Sequence, residues 1–186
     1  MAKKVRISIV GTAGRKTDGP KMSRALYCKM YDHALAGILE KYSPEDVVLV
    51  SGGAAWADHL AVSLFLGDSS FELELYLPAP FKNALYVQLV DHYMDPGRIS
   101  NYYHGKFGKK MSDSHATLRG IQRAIDAGAM VKVSKGFKAR NLIVSGSDIL
   151  LAYTWGEGDV PKDGGTKHTW DHSTASVKVH IPLSSL

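Results

Sequence analysis

Two adjacent glycines, a hydroxyl and a carboxylate follow one another closely between Ser51 and Asp58. Residues 47–50, just before them, are apolar and mostly β-branched, which predicts a strand buried on both faces. A helical pattern follows the glycines, and the first N–H groups of a helix have no partner within that helix. The corner therefore favours an anion such as phosphate or carboxylate, although a tight turn that binds nothing would have the same pattern.

Asp58 is the residue of this corner that could do chemistry. Its carboxylate could hydrogen-bond a ribose hydroxyl or act in acid–base catalysis, whereas an acidic residue in a first helical turn also complements the helix dipole. The indole of Trp56 is expected to cover either a ligand or the protein core. The predicted ligand contacts of this corner are Ser51, Gly52, Gly53, Ala54, Trp56 and Asp58.

A second glycine-containing corner follows the strand predicted at residues 5–10. It is neither a P-loop nor a complete Gly-x-Gly-x-x-Gly motif. Its small residues leave room for a ligand, Thr12 supplies a hydroxyl, and the Arg15 guanidinium can hold a phosphate through two parallel hydrogen bonds. A plain strand–helix connection with a surface arginine is the alternative. The predicted contacts are Gly11, Thr12, Gly14 and Arg15.

A third corner repeats this logic near the end of the chain. A Gly-Gly-Thr sequence opens a predicted helix there, so backbone N–H groups and a hydroxyl could face an anion. His168 lies just behind and can exchange a proton near neutral pH. A loop that merely needs glycine flexibility is the alternative. The predicted contacts are Gly164, Gly165, Thr166 and His168.

Arg140 and Asn141 lie on a short helix predicted at residues 138–144. The arginine could reach a phosphate at the edge of the sheet, or it could be an ordinary surface residue. His168, His172 and His180 are spaced too irregularly for a metal site, so we expect no metal ion. We also expect no cofactor.

The order of the elements predicts an α/β protein. Strands are predicted at residues 5–10, 47–50, 73–77, 148–153 and 177–181, and helices at 21–42, 58–66, 84–92, 118–128 and 138–144. This alternation is typical of a Rossmann-like, three-layer α/β/α fold with a mostly parallel central sheet. Because parallel strands end at one edge, the loops after Val10, Val50, Leu77 and Tyr153 are expected to meet there.

Composition indicates one domain over residues 1–186, of ordinary hydrophobic content at 45%. The single cysteine, Cys28, excludes an internal disulfide. No apolar run approaches the roughly 20 residues of a membrane span, and residues 1–4 lack the apolar segment of a signal peptide. We therefore expect a cytoplasmic protein without a membrane partner.

The net charge of +5 is partly local, since Lys106, Lys109 and Lys110 lie close together among aromatic residues. Tyr102, Tyr103 and Phe107 are interleaved with these lysines, an arrangement that would suit base stacking on single-stranded nucleic acid. A solvated helix face is the alternative. No recognised nucleic-acid-binding motif accompanies the pattern.

The ordered set of corners resembles the SLOG superfamily, which includes the DNA-processing protein DprA, LOG phosphoribohydrolases and YpsA/YspA-like proteins. The matching elements are Val-Gly-Thr-Ala-Gly-Arg at 10–15, Ser-Gly-Gly-Ala-Ala-Trp-Ala-Asp at 51–58, Ala-Arg-Asn at 139–141, Ser-Asp-Ile-Leu-Leu-Ala at 147–152 and Gly-Gly-Thr at 164–166. The resemblance implies a Rossmann-like fold that binds nucleotides, often as a homo-oligomer. An insertion at about 82–116 has no counterpart.

The chain departs from the family patterns at three positions. Thr169 stands where the LOG motif has its catalytic glutamate, and a threonine cannot supply a carboxylate. Asn141 replaces the lysine of the LOG Arg-Lys pair, so the match there is confined to Arg140. Trp56 replaces a glycine of the YspA-like pattern, which would narrow the pocket or stack on a base.

Three functions remain open from the sequence. The first is a sensor or sequestering protein for a mononucleotide, cyclic nucleotide or ADP-ribose-like molecule. The second is a nucleotide N-glycosidase or deoxyribosyltransferase, in which Arg140 holds the 5′-phosphate and Asp58 assists the water or the sugar. The third is single-stranded DNA binding, as in DprA. We expect a nucleotide-type small molecule as the partner, with nucleic acid as the alternative.

Overall fold

Apolar, β-branched runs form the centre of a single six-stranded sheet. The structure is a computed structural model that describes residues 3–186, so Met1 and Ala2, which belong to the segment expected not to be a signal peptide, lie outside the described residues. The strands are β1 (Val5–Gly11), β2 (Val47–Ser51), β3 (Glu72–Leu77), β4 (Phe81–Lys82), β5 (Leu85–Tyr86), β6 (Met130–Val133), β7 (Ile149–Thr154) and β8 (Val177–Pro182). The helices are α1 (Arg24–Leu39), α2 (His59–Gly67), α3 (Pro96–Met111), α4 (Ala116–Asp126), α5 (Gly136–Val144) and α6 (Gly164–Asp171).

All neighbours in the main sheet run parallel, in the order β6-β3-β2-β1-β7-β8. The central strand β1 pairs with β2 on one side, Val5 opposite Val47, and with β7 on the other, Ile7 opposite Ile149. The predicted Rossmann-like fold with a mostly parallel sheet is confirmed. This order places the carboxyl ends of β2, β1 and β7 side by side, and ligands of such sheets bind beyond that edge.

The two faces of β1 enter different parts of the core. Ile7 and Ile9 pack in the larger cluster with α1, α2, α3 and α4, whereas Val10 packs in a smaller cluster that includes Val144 of α5 and Trp170 of α6. Alternate residues of a strand point to opposite faces, so this division makes the sheet the middle of three layers. None of the helices within residues 3–186 is long and apolar enough to cross a bilayer.

The predicted helix at 84–92 is wrong. Residues Leu85–Tyr86 form a strand that pairs antiparallel with Phe81–Lys82, and the segment up to Asp95 follows without a helix. Its apolar residues do not repeat with helical order: Leu89 and Val90 are exposed, whereas Tyr86 is buried. Helical spacing over so few residues was a coincidence of composition.

Besides strands β4 and β5, the sequence analysis missed helix α3 and strand β6. Helix α3 is absent from the predicted helices and begins at Pro96, because proline is favoured at the first position of a helix and Asp95 accepts a hydrogen bond from the Arg98 N–H at 2.9 Å as its cap. Strand β6 was missed because its four residues, Met130–Val133, form an exposed edge strand without a buried apolar run.

Helix α3 joins the insertion to the main core through Phe107. Its ring lies 4.2 Å from that of Trp56 and 5.0 Å from that of Tyr27, measured between centroids. His59 packs edge-on against the same ring at 5.5 Å. Phe107 is fully buried. The insertion at 82–116 is therefore part of the hydrophobic core, rather than a loop attached to its surface.

We expect Phe107→Ala to lower the free energy of unfolding by about 3–5 kcal/mol, because it leaves a cavity between three aromatic rings. Urea denaturation monitored by circular dichroism measures this change. Tyr102→Ala is the matched control: this side chain lies on the same helix but is 55% exposed, and we expect a change within about 0.5 kcal/mol. Similar losses for the two variants would contradict this description of the core.

Candidate functional site

A cleft of about 980 Å³ opens at the carboxyl edge of the sheet. The loops after β1 and β7 and the first turns of α5 and α6 form its walls. It brings together most of the residues that the sequence predicted as a site. Those that line it are Gly11, Thr12, Arg15, Ala54, Asp58, Arg140, Asn141, Gly164, Gly165 and Thr166.

The other predicted residues lie outside this lining: Gly14, Ser51, Gly52, Gly53, Trp56 and His168. Ser51 is an instructive case, because its hydroxyl donates to the Asp58 carbonyl at 2.7 Å and accepts from the Gly53 N–H at 3.0 Å. The Ser51 hydroxyl thus shapes the turn rather than facing a ligand. His168 is turned towards the stacked ring of His172, 4.3 Å away between centroids.

Arg140 and Asp58 form a buried ion pair at the base of the cleft. The Arg140 Nη1 donates to Asp58 Oδ2 at 3.0 Å and to the Gly52 carbonyl at 2.7 Å. Gly52 has to be glycine here, because a Cβ built on it would overlap the guanidinium. Gly52 and Arg140 are 88 positions apart in the chain, and the Arg140 side chain joins helix α5 to the turn after β2.

Burial raises the pKa of the Asp58 carboxyl, while the Arg140 guanidinium and hydrogen bonds from the backbone of Ala54, Gly11 and Gly52 act in the opposite direction. A carboxyl with a raised pKa in a cleft is suited to acid–base chemistry. The same donors hold the carboxylate in one orientation. Asp58 therefore holds the Arg140 guanidinium in place through the ion pair, and it is also a candidate acid or base.

One edge of the Arg140 guanidinium is left without a partner. Both of its hydrogen bonds use Nη1, and the buried Nε has no acceptor within residues 3–186. The Nε and Nη2 N–H groups of an arginine form a planar fork that matches a carboxylate or a phosphate. An unpaired buried donor costs about 1–3 kcal/mol, which favours an anion that completes its hydrogen bonding.

The first turn of α6 faces the same cleft. None of the described side chains caps this helix, and Gly164 starts it with a φ of +72°. The Thr166 hydroxyl donates to the Gly11 carbonyl at 2.9 Å, and the Asn141 amide donates to the Gly165 carbonyl at 3.3 Å. These two side chains hold the helix against β1 and α5, so its backbone N–H groups, and not the hydroxyl, are the groups offered to an anion.

Thr169, the residue at the position of the LOG glutamate, also lines the cleft. Its hydroxyl donates to the Gly165 carbonyl at 3.0 Å, within the same helix. In the first corner, the Thr12 hydroxyl is likewise engaged, donating to Asp18 at 2.7 Å and accepting from the Gly14 N–H at 3.1 Å. The hydroxyls around the cleft thus serve to fix its loops.

Trp56 belongs to the core. It is buried against Tyr27 and Phe107, and its φ of +63° lies in the left-handed region that favours glycine. The YspA-like pattern has a glycine at this position. The backbone conformation of Trp56 is one that glycine adopts readily, although its side chain departs from the pattern. Gly14 makes room for the indole, since a Cβ there would lie 2.7 Å from Trp56 Nε1.

Two aromatic residues of the cleft were missed by the sequence analysis. Trp155 directly follows β7, and its half-exposed indole lines the cleft with Lys21 Nζ 5.1 Å from the ring centroid. Phe137 lies three positions before Arg140 on α5, and its ring is 5.7 Å from the Arg140 Cζ. Two features of the sequence could have indicated them. Trp155 follows the end of a predicted strand, and Phe137 is spaced i, i+3 from Arg140 on the same helix.

The lysines and aromatics of α3 do not form one surface. Phe107 is fully buried and cannot stack on a base, while Tyr102 is exposed and carries Lys106 Nζ 4.4 Å from its ring centroid. Tyr103 packs against Arg15, whose Cζ lies 5.0 Å from the centroid of its ring. Within residues 3–186, no group of three His, Cys, Asp or Glu side chains is arranged to hold a metal ion.

Two side chains of the insertion form hydrogen bonds with the glycine turn after β2. The Tyr86 hydroxyl donates to the Gly53 carbonyl at 2.5 Å, and His104 Nε2 contacts the same oxygen at 3.0 Å. His104 Nδ1 lies 3.0 Å from the Thr117 hydroxyl, which completes its hydrogen bonding. Burial lowers the pKa of His104 to about 4, with a smaller opposing effect of the Gly53 carbonyl.

This lowered pKa predicts acid lability. Between pH 6.5 and about 4 the unfolded chain takes up a proton on His104 and the folded protein does not, so stability falls as pH falls through this window, by at most about 3 kcal/mol from this residue. Urea denaturation at pH 7.0 and 4.5 measures the loss. We expect His104→Gln to reduce the pH dependence, with the exposed His92→Gln as control. An unchanged pH dependence in His104→Gln would contradict the assignment.

We expect Gly52→Ala to lower the free energy of unfolding by about 3–5 kcal/mol, because the added methyl displaces Arg140 and leaves Asp58 buried without its ion pair. Gly37→Ala is the control, since a Cβ there meets nothing within 4 Å, and on helix α1 it should stabilise by about 0.5–1 kcal/mol. Equal stability of Gly52→Ala and wild type would show that the glycine is not required for the ion pair.

The chain is similar to an uncharacterized viral protein. The chain is 38% identical to uncharacterized protein R261 of Acanthamoeba polyphaga mimivirus over 188 residues, covering 97% of this chain and 97% of that protein. No family model matches the chain, and no solved structure matches it. At this identity and coverage, the chain belongs to the same protein family as R261 of mimivirus.

Proposed function

We propose that the cleft binds a nucleotide or a nucleotide-derived small molecule through its phosphate, and that the protein acts as a sensor or sequestering protein. The observation that carries this proposal is the unpaired fork of Arg140. Its Nη1 is fixed by Gly52 and Asp58, so the Nε edge is held in place before any ligand arrives. Preorganised donors bind anions more tightly because less entropy is lost on binding.

A second feature supports a phosphate at the same place. Hydrogen bonds of Asn141 and Thr166 hold the first turn of α6 against α5 and β1. The backbone N–H groups of this turn therefore lie in the same cleft as Arg140. A helix N-terminus and a guanidinium together suit a dianionic phosphate better than a monoanionic carboxylate. The resemblance to the SLOG superfamily points in the same direction.

The nucleoside end of the ligand would lie towards β7. The Trp155 indole offers an apolar face at this side of the cleft, and its Nε1 is held by the Met22 sulfur at 3.4 Å. Glu157 and Asp163 line the same side and could accept hydrogen bonds from ribose hydroxyls. The charges of the cleft are nearly balanced, so the position of each charged group, rather than the net field, would orient the ligand.

The test is binding of a nucleotide panel by isothermal titration calorimetry, guided by native mass spectrometry of any nucleotide that copurifies. We expect Arg140→Lys to weaken binding of the best nucleotide by about 10-fold or more, because lysine lacks the planar fork. Arg119→Lys is the control, since Arg119 pairs with Asp113 outside the cleft. Absence of binding across the panel, or equal affinity of Arg140→Lys and wild type, would refute the proposal.

A second variant covers the case in which Arg140→Lys does not fold. Gly165→Ala adds a methyl to the first turn of α6, where its nearest neighbour is the Asn141 amide at an ordinary contact distance of 3.4 Å. The fold should tolerate it, and the methyl should crowd a phosphate at the helix N-terminus. We expect weaker nucleotide binding with an unchanged Tm.

Cleavage of an N-glycosidic bond is a second candidate, favoured by the raised pKa of Asp58 within the cleft. Incubation with the same panel, followed by chromatography for released base, separates this activity from binding alone. If the protein is an enzyme, Asp58→Asn should abolish base release. Nucleotide binding without released base would leave the binding function and exclude turnover of the nucleotides tested.

A further inference from the structure

The Arg15 guanidinium lies against two aromatic rings at the rim of the cleft. Its Cζ is 5.0 Å from the centroid of the Tyr103 ring and 5.6 Å from that of the Phe137 ring. Both distances are within the range of cation–π attraction. Arg15 lines the cleft and forms no salt bridge with a carboxylate of residues 3–186. Its charge is thus held in position and is available to a ligand.

Phe137 connects this residue to the deeper arginine. The same ring that contacts Arg15 lies 5.7 Å from the Arg140 Cζ. One wall of the cleft therefore carries two guanidinium groups that share an aromatic neighbour. Arg140 is buried, with one edge unpaired, whereas Arg15 is exposed and close to solvent.

We propose that this wall binds a diphosphate, so that the ligand of the cleft is a diphosphate-containing nucleotide rather than a monophosphate. The inference rests on the proposed function. One phosphoryl group would lie at the Arg140 fork and the first turn of α6. The adjoining phosphoryl group would lie at Arg15. The Cζ atoms of Arg15 and Arg140 lie 5.6 Å and 5.7 Å from the centroid of the same Phe137 ring, so two linked phosphoryl groups would each have a guanidinium partner on this wall, whereas an orthophosphate at the Arg140 fork would leave Arg15 unused.

Three of the four acidic residues that line the cleft are placed where they do not oppose this arrangement. Asp58 is neutralised by Arg140. Asp18 is the exception, because it lies on the same loop as Arg15 and accepts a hydrogen bond only from the neutral Thr12 hydroxyl. Glu157 and Asp163 lie on the loop between β7 and α6, on the side proposed for the nucleoside. Lys16, next to Arg15, adds a further positive charge to the rim.

Tyr103 gives the insertion a part in recognition. It lies on α3, within residues 82–116, and it supplies the nearer of the two rings that contact Arg15. The diphosphate site is therefore built from the loop after β1, from α5 and from the insertion.

The experiment compares inorganic pyrophosphate with orthophosphate by isothermal titration calorimetry at constant pH and ionic strength. We expect wild type to bind pyrophosphate about 10-fold or more tightly than orthophosphate. Arg15→Gln should remove most of this preference and change the affinity for orthophosphate by less than about 2-fold. Tyr103→Leu keeps every charge of the site and should reduce the preference to an intermediate value.

Lys16→Gln is the matched control, because it removes one positive charge from the adjacent exposed residue of the cleft. If Lys16→Gln and Arg15→Gln weaken pyrophosphate binding equally, the preference is a general charge effect and the inference is wrong. If orthophosphate binding depends on Arg140 but pyrophosphate has no Arg15-dependent advantage, the inference fails and the proposed function stands. If neither probe binds, or binding does not depend on Arg140, both fail.

Discussion

The structure of the cleft depends on the contact of one arginine with a glycine carbonyl and a buried carboxylate. Arg140 from α5 reaches across the edge of the sheet to the turn after β2, where it meets the Gly52 carbonyl and Asp58. Two charges removed from water need close pairing to be tolerated, and here both are buried. This requirement fixes three features at once: a residue without Cβ at position 52, a carboxylate at position 58 and the direction of the guanidinium.

The insertion stabilises the same turn from the opposite side. Gly53 turns its carbonyl towards Tyr86 and His104, while the Gly52 carbonyl accepts from Arg140, so the two adjacent peptide groups are held from two layers of the fold. Gly53 itself is tightly enclosed, because a Cβ there would collide with Leu77 and the Tyr86 hydroxyl. The glycine pair is therefore explained by packing on both sides, and neither residue needs contact with a ligand.

The sequence was sufficient for five of the six strands of the main sheet and for the meeting of three of the four predicted loops, because strands with strong apolar runs, such as Val47–Ser51, are evident from the local pattern. The loop after Leu77 does not line the cleft. The sequence was insufficient for the side-chain partners. Nothing local to Thr166 shows that its hydroxyl bonds to the carbonyl of Gly11, which is 155 positions away in the chain. The insertion was the hardest part to predict, because α3 starts at a Pro-Gly pair, which usually interrupts a helix. Of the Phe and Tyr side chains of α3, Phe107 is the fully buried one.

These internal hydrogen bonds bear on whether the cleft is built for binding or for catalysis. Thr12, Thr166 and Thr169 all direct their hydroxyls to neighbouring protein atoms, so the donors that remain available in the cleft are mainly guanidinium, lysine ammonium and backbone N–H groups. Such donors are suited to holding phosphate, whereas cleavage of a glycosidic bond also needs a carboxylate that can approach the sugar or a water. Asp58 is the one carboxylate held at the base of the cleft beside Arg140, and it would have to loosen its ion pair to take that part. The proposed binding function therefore leaves this ion pair intact, whereas the alternative, cleavage of a glycosidic bond, requires it to rearrange.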